Sequence, residues 1–306
     1  MTEIGLLVGR KRYGRHVGEE RSGEGGGKEF RRVLDDLRNR MVNGDYPLGS
    51  SLPAQRLLAE EFEVSRDTVQ RVVRTLASEG WVESRQGSGS RVIKTQRIQP
   101  AVPQGAKPGP MALGPIISKA FGRSEVSLDV FTLTGESLDT HVRLQALRIR
   151  AEPHGAPQRV AVRILVPSED AELPFPRSKD DPSDRRPVER VWDIARRSAS
   201  SLRHVLESLR VEKLVPEVSL EIRHTSVVPN FKFYLLNGSE ALFGLYQVVE
   251  RPIFLDDGEE LTAVDVEGIG ANLMHYERDA DPESPGSFFV DSMQTYFNSV
   301  WTLLSE

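Results

Sequence analysis

The sequence predicts a two-domain chain: an α+β head, a helix-turn-helix with a wing, followed by an α/β body. Three observations carry this. Residues 51–92 read as helix, turn, helix and then two short strands around a glycine-serine tip. Residues 95–115 hold five prolines and three glycines, the composition of an extended tether. From Ile116 onward, strand-type and helix-type apolar patterns alternate, which argues helices layered on a sheet. The expected division is a flexible tail at 1–27, the head at 28–94, a linker at 95–115 and the body at 116–306. A length of 306 residues suits two domains.

The tail shows no sustained periodicity and ends in a glycine run. Its Lys11, Arg12, Arg15 and Arg21 are diluted by Glu19, Glu20 and Glu24. A first helix is expected from Lys28 to Asn43, because Phe30, Val33, Leu34, Leu37 and Met41 fall on one helical face and Asn43-Gly44 is a stop. A second starts near Pro53, a first-turn residue, and carries Leu57, Leu58 and Phe62. Glu63-Val64 makes a tight turn. Ser65 then caps the third helix, its hydroxyl accepting an amide that has no partner within the helix.

Val69, Val72, Val73 and Leu76 form the core-facing stripe of that third helix. Its other face carries Asp67, Gln70, Arg71 and Arg74, with Arg66 on the first turn. An apolar stripe backed by long hydrogen-bonding side chains is what a helix needs to lie in a DNA major groove. Arg71 and Arg74 also read as solvated or i,i+4 pair residues, and for Arg74 this is the preferred reading. Gly80 ends the helix. Trp81–Ser84 and Arg91–Ile93 are the strands of the wing, joined by Arg85 to Ser90, a small loop able to follow a phosphate backbone closely.

From about Phe30 to Val92 this stretch resembles the winged-helix domain of GntR-type bacterial regulators. The matching pieces are Gly49-Ser50-Ser51-Leu52-Pro53, Arg56-Leu57-Leu58-Ala59, Val64-Ser65-Arg66-Asp67-Thr68-Val69, Leu76-Ala77-Ser78-Glu79-Gly80 and Gln86-Gly87-Ser88-Gly89-Ser90. The resemblance implies DNA contacts from Arg56, Arg66, Gln70 and the wing tip at Gln86-Gly87. Ser65, Thr68, Arg71 and Ser88 complete the candidate set. Gln70 stands where many members carry arginine. An amide there suits adenine, where arginine suits guanine. The resemblance also implies a homodimer on a palindromic double-stranded operator, since two recognition helices on one DNA face need a two-fold axis.

In the body, strands are expected at Val126–Thr134, Arg159–Val166, Val218–Arg223, Phe231–Leu236, Glu240–Val249 and Leu261–Val266. Helices are expected at Ser137–Ala151 and Val188–Glu212, with a last one carrying Phe289, Met293, Tyr296, Phe297, Val300 and Leu304. Arg159–Val166 is a near-continuous apolar run, typical of a strand covered on both faces. Asn237-Gly238 is a two-residue hairpin signal. The last helix reads as core, with Tyr296, Phe297 and Trp301 as an alternative dimer surface.

Pro229 to Val249 resembles the phospholipase D-like fold, whose active half-sites carry His-x-Lys-x-x-x-x-Asp on a strand leading into a hairpin. Here the motif reads Asn230-x-Lys232-x-x-x-x-Asn237. In that family the histidine attacks phosphorus. An asparagine amide is neither basic nor nucleophilic, so the resemblance implies a non-catalytic scaffold. His224, six residues earlier, is a remote substitute. Asn230 and Lys232, two residues apart on one strand face, are candidate effector contacts together with Asn237. Alternatively, Lys232 satisfies a neighbouring acidic group.

Composition narrows the remaining classes. With no cysteines, disulfides, thiolate catalysis and Cys-ligated zinc are excluded. The six histidines lack metal-ligand spacing, and Asp256-Asp257-Gly258-Glu259-Glu260 lacks the spacing of a calcium loop and reads as a polar hairpin tip. No apolar run approaches a membrane span, so a cytoplasmic protein is expected, with no membrane partner, metal or cofactor. Residues 1–100 hold 18 Lys and Arg against 14 Asp and Glu, a charge of +4. The rest of the chain carries −9, so a basic head sits on an acidic body. The expected function is a transcription regulator, a repressor, whose body senses a small molecule or a partner and sets the dimer geometry. The alternatives are a phosphodiesterase tethered to DNA and a structural DNA binder without an effector.

Overall fold

The computed structural model describes residues 24–43, 45–46, 49–78, 81–85, 89–92, 98–100, 113–255, 259–268 and 272–306. The expected tail up to residue 23, most of the linker, the helix stops at Gly44 and Gly80, and the polar tip at 256–258 lie outside these residues.

The head is built from α1 (Glu24–Asn43), α2 (Gln55–Phe62), α3 (Arg66–Ser78), β1 (Val82–Arg85) and β2 (Gly89–Val92). Its core joins Leu37 and Met41 of α1, Leu58 and Phe62 of α2, Val69, Val72 and Leu76 of α3, and Trp81 under the wing. The turn between α2 and α3 is made by Glu63 in the left-handed region, φ 53°, while the Val64 amide donates to the Ala59 carbonyl. Ser65 Oγ accepts the Thr68 amide at 3.1 Å, the expected cap. β1 and β2 pair antiparallel, Val82 opposite Val92. Residues 49–52 add a third segment to this ribbon, with Gly49 N donating to Val92 O and Leu52 N to Ser90 O.

The body contains β3 (Ile98–Pro100), α4 (Leu113–Phe121), β4 (Glu125–Phe131), α5 (Glu136–Ala151), β5 (Arg159–Pro167), β6 (Arg177–Ser178), α6 (Arg186–Val211), β7 (Glu217–Thr225), β8 (Phe231–Leu236), β9 (Glu240–Leu245), β10 (Gln247–Phe254), β11 (Glu260–Glu267), β12 (Leu273–Glu277) and α7 (Pro285–Leu303). Its main sheet has the order β3-β12-β9-β8-β4-β5-β7, in which β4, β5 and β7 are parallel and joined through α5 and α6. β8 closes antiparallel on β4.

Side-chain alternation along β8 divides the core. Tyr234 and Leu236 face α5 and α6 with Leu138, Val142 and Leu206. Phe233 and Leu235 face α7 with Val290, Phe297 and Trp301. Phe297 and Trp301 are therefore core, and the last helix spends its apolar face on the sheet. Parallel pairing inside a sheet covered on both faces explains the apolar continuity of β5.

α4 and β12 have no counterpart among the expected elements, and three further features depart from the expected pattern. The strand expected at Glu240–Val249 is two: it breaks at Tyr246, and β10 leaves for a second sheet of order β10-β11-β6. The linker contributes Ile98–Pro100 as an edge strand parallel to β12. The charged loop after β5 includes β6, which pairs with β11.

Head and body touch. Arg143 of α5 pairs with Asp35 of α1 at 3.0 Å, Arg38 of α1 pairs with Glu136 at the start of α5 at 3.0 Å, and α3 runs alongside β10.

The start of α7 is fitted tightly to the end of β12. Ser284 caps it by accepting the Ser287 amide, and a Cβ added at Gly286 would lie 2.3 Å from the Glu277 carbonyl oxygen. Because that neighbour is backbone, Gly286→Ala is expected to cost about 1–3 kcal/mol, as overpacking does. A urea titration of the variant checks this; an unchanged midpoint would show that the helix start is loose.

Candidate DNA interface and body cavity

The buried stripe of α3 fixes which of its side chains are presented. With Val69 and Val72 fully buried, Arg66, Asp67, Gln70, Arg71 and Arg74 are all exposed. Arg66 and Gln70 lie one turn apart on this face. Arg71 is laid over the Phe30 ring, 5.1 Å from its centroid, which ties it to α1. Arg56 on α2 is exposed and pairs with Glu60 at 2.8 Å, so contact with phosphate exchanges one anion for another. Thr68 is buried, its hydroxyl 2.9 Å from Ser65 Oγ. Ser65 and Thr68 thus form the helix start that aims Arg66. Gln86, Gly87 and Ser88 lie outside the described residues; Gly89, with φ 79°, begins β2 just after them.

In the body, the informative position is Lys232. It projects from β8 toward α5, is 1% exposed, and its Nζ donates to the Gly268 carbonyl. Burial pushes its pKa down to about 7, against the opposing pull of the Glu136 carboxylate. It lines a cavity of about 70 Å³ at the carboxyl end of β4, with Thr134, Glu136, Ser137, Arg190 and Arg251. Ligands of open α/β sheets bind outside the carboxyl ends of parallel strands. The walls are well tied. Arg251 Nε donates to Asp265 at 2.9 Å, Arg190 Nε to the Phe254 carbonyl at 3.1 Å, and the Leu133 amide to Tyr246 Oη at 2.9 Å. Beneath it, His141 is fully buried and its pKa falls to about 4, by burial first and then by the nearby Lys232 charge. A second cavity of about 210 Å³ meets the first at Thr134 and runs along α6 past Trp192, Arg196 and His224.

The three candidate effector residues do not converge. Asn230 is exposed just before β8, and its carbonyl accepts the Tyr246 amide. Asn237 sits in the β8–β9 turn with φ 52°; its Oδ1 accepts the Ser127 amide at 2.8 Å and its Nδ2 donates to Ala120 O at 3.3 Å. That side chain fastens the turn to β4 and α4. Of the three, Lys232 alone lines the cavity. Glu136, Arg190 and Arg251 escaped the sequence reading because no local motif links them.

Glu240, His275 and Glu277 bring ligand-type atoms within 4.8 Å of one another. The Lys119 ammonium already sits there, 3.1 Å from Glu240 and 2.9 Å from Glu277, so the group is an ion-pair cluster. Among the described residues, no helix is long and apolar enough to cross a membrane.

A capped helix with a polar outer face, a supporting pair of helices and an antiparallel ribbon define a winged-helix DNA-binding head. Residues 30–92 match the family model for bacterial regulatory proteins of the gntR family, and this segment is a GntR-family DNA-binding domain. The chain is similar to the Exu regulon transcriptional regulator of Escherichia coli (strain K12), 40% identical over 67 residues, 22% of this chain and 26% of that protein. It is also similar to the mannosyl-D-glycerate transport/metabolism system repressor MngR of the same strain, 38% identical over 69 residues, 22% of this chain and 28% of that one. The uncharacterized HTH-type transcriptional regulator YdfD of Bacillus subtilis (strain 168) is 35% identical over 65 residues, 21% of this chain and 14% of that protein. The chain thus spans about a quarter or less of the length of these relatives. A solved structure of Streptococcus agalactiae GntR shares 36% identity over 21% of this chain and 31% of its own, with a TM-score of 0.20.

Proposed function

We propose that this protein is a transcription regulator in which the winged-helix head binds a palindromic operator as a homodimer and the α/β body, without catalysis, carries an effector site. The observation that carries the reading is the exposed row of Arg66, Gln70 and Arg71 on a capped α3 inside a GntR-family domain. Repression is the proposed sign, by likeness to MngR, which is named a repressor.

The body is read as a phospholipase D-like scaffold without turnover. Asn230 offers no nucleophile, and Asn237 is engaged in holding a turn. Phosphodiester hydrolysis by the purified protein that is abolished in Lys232→Ala would overturn this and favour a DNA-tethered phosphodiesterase.

Gel-shift titrations with the DNA upstream of the protein's own gene, at several salt concentrations, test the regulator reading. A steep, sequence-dependent affinity ratio is expected; equal affinity for unrelated DNA would leave a structural binder. Arg66→Ala is expected to weaken operator binding by about 1–3 kcal/mol and to relax the preference at one base pair. Unchanged affinity and preference would mean that α3 docks differently.

A further inference from the structure

The cavity below α5 has an imbalance of charge. Arg251 and Asp265 satisfy each other across β10 and β11. Glu136, the other carboxylate in the wall, is held from the head side by Arg38 at 3.0 Å. Lys232 and Arg190 remain, and among the described residues neither has a carboxylate within 4.0 Å. Lys232 is also sealed from solvent, with one carbonyl as its hydrogen-bond partner among those residues. A buried ammonium with no carboxylate in direct contact is costly, and an anion from solution relieves that cost. Ser137 and Thr134 also line the cavity.

The position of Glu136 gives the cavity an outlet. It lines the cavity and is also the body's partner for Arg38 on α1. Arg38 is largely buried at the junction, 10% exposed, and Asp35 beside it is bound by Arg143 of α5. A second wall residue, Arg251, stands on β10, the strand alongside α3. The cavity therefore borders two of the elements that meet the head, α5 and β10.

We propose that this cavity binds a small anion, the carboxylate or phosphate group of a metabolite, through Lys232 and Arg190, and that Glu136 transmits its arrival by loosening its hold on Arg38. The incoming charge sits beside Glu136 and repels it. α1 is then less firmly held to the body, and the head changes its orientation for DNA. A ligand acts on the equilibrium only through this difference between bound and free states. The proposal rests on reading the body as an effector domain, but its test uses no DNA, so its failure is distinct from failure of the regulator reading.

The test is a titration of the full chain with inorganic phosphate against chloride at matched ionic strength. Phosphate is expected to raise Tm by at least about 2 °C, since a ligand of the native state stabilises it. Hydrogen exchange by mass spectrometry is expected to show faster exchange in α1 and slower exchange at the start of α5. Lys232→Met should abolish both effects, and Arg190→Gln, at the cavity rim, should weaken them; circular dichroism checks that each variant is folded. In Arg38→Gln the Tm shift should persist while α1 exchanges fast with or without phosphate. An equal phosphate shift in both cavity variants, no shift in the unaltered chain, or a shift that leaves α1 exchange unchanged or slowed would overturn the proposal.

Discussion

Lys232→Met makes the body more stable at pH 7 and removes a rise in stability that the unaltered chain shows from pH 7 to about 9.5. The lysine is sealed in the body, and burial brings its pKa from 10.5 in the unfolded chain to about 7. At each pH between those values the unfolded chain holds more protons than the folded one, so stability rises with pH. Below pH 7 both states are charged and the whole penalty is present. Over 3.5 pKa units it is on the order of 5 kcal/mol, at about 1.4 kcal/mol per unit. Methionine keeps the volume and removes the charge, but leaves the Gly268 carbonyl without its donor, a loss of about 1–3 kcal/mol. A net gain of at least about 1 kcal/mol at pH 7 follows. The charged and titratable groups around the lysine act in other windows or stay constant. His141 is held neutral down to about pH 4, so its effect lies between pH 4 and 6.5. Tyr246 and Tyr234, both raised by burial, oppose folding only above pH 10, where the unfolded phenols ionise. Glu136, Arg190 and the Arg251–Asp265 pair are the other charged groups at this cavity. Urea titrations at half-unit steps of pH measure the slope; equal slopes in the two proteins would place the lysine in water.

What was readable in the sequence was what local periodicity and capping dictate. The buried stripe of α3 and the Ser65 cap set which side of the helix is exposed, so its outward row was readable from spacing, while the choice of Arg66 and Gln70 within it came from the family resemblance. The β8–β9 hairpin was legible because Asn237 supplies the left-handed residue its turn needs. Strand alternation paired Asn230 with Lys232 on one face, but β8 begins at Phe231, so Asn230 falls outside the regular strand and stays in solvent. The break at Tyr246 was invisible because Gln247-Val248-Val249 continues the strand-forming pattern; only the pairing with β11, residue by residue from Gln247 opposite Glu267, separates the two sheets. β3 was hidden for the opposite reason. Three residues ending in proline have no strand signal, and β12 supplies the order. The cavity was hidden by distance along the chain: Glu136, Arg190, Lys232 and Arg251 come from four elements, and only the folded sheet brings them together.

Phe233→Ala is expected to destabilise the body by about 3–5 kcal/mol while leaving the head folded. Phe233 is fully buried between the sheet and α7, its ring 5.8 Å from Phe131, 6.2 Å from Tyr296 and 6.2 Å from Phe297. Truncation leaves a void whose walls include aromatic rings from two other elements, β4 and α7, and such a wall collapses poorly. The head has its own core, in which Trp81 closes over Leu76, and none of these body residues enters it. What crosses the junction is weak by comparison. Asp35 and Arg143 are each about 30% exposed, the regime in which an ion pair gives about 0.2–1 kcal/mol. Arg38 is more hidden, but Asp35, its neighbour on the same helix at 3.7 Å, serves it when Glu136 is lost. The two domains should therefore unfold in separate steps, and a single free energy would not describe the chain. Urea unfolding followed by circular dichroism, with DNA binding assayed at each urea concentration, resolves them. The body's midpoint should fall in Phe233→Ala, and the urea concentration at which DNA binding is lost should stay where it was. If DNA binding is lost earlier in step with the body, head and body form one cooperative unit, and the coupling through Arg38 and Glu136 is structural rather than switchable.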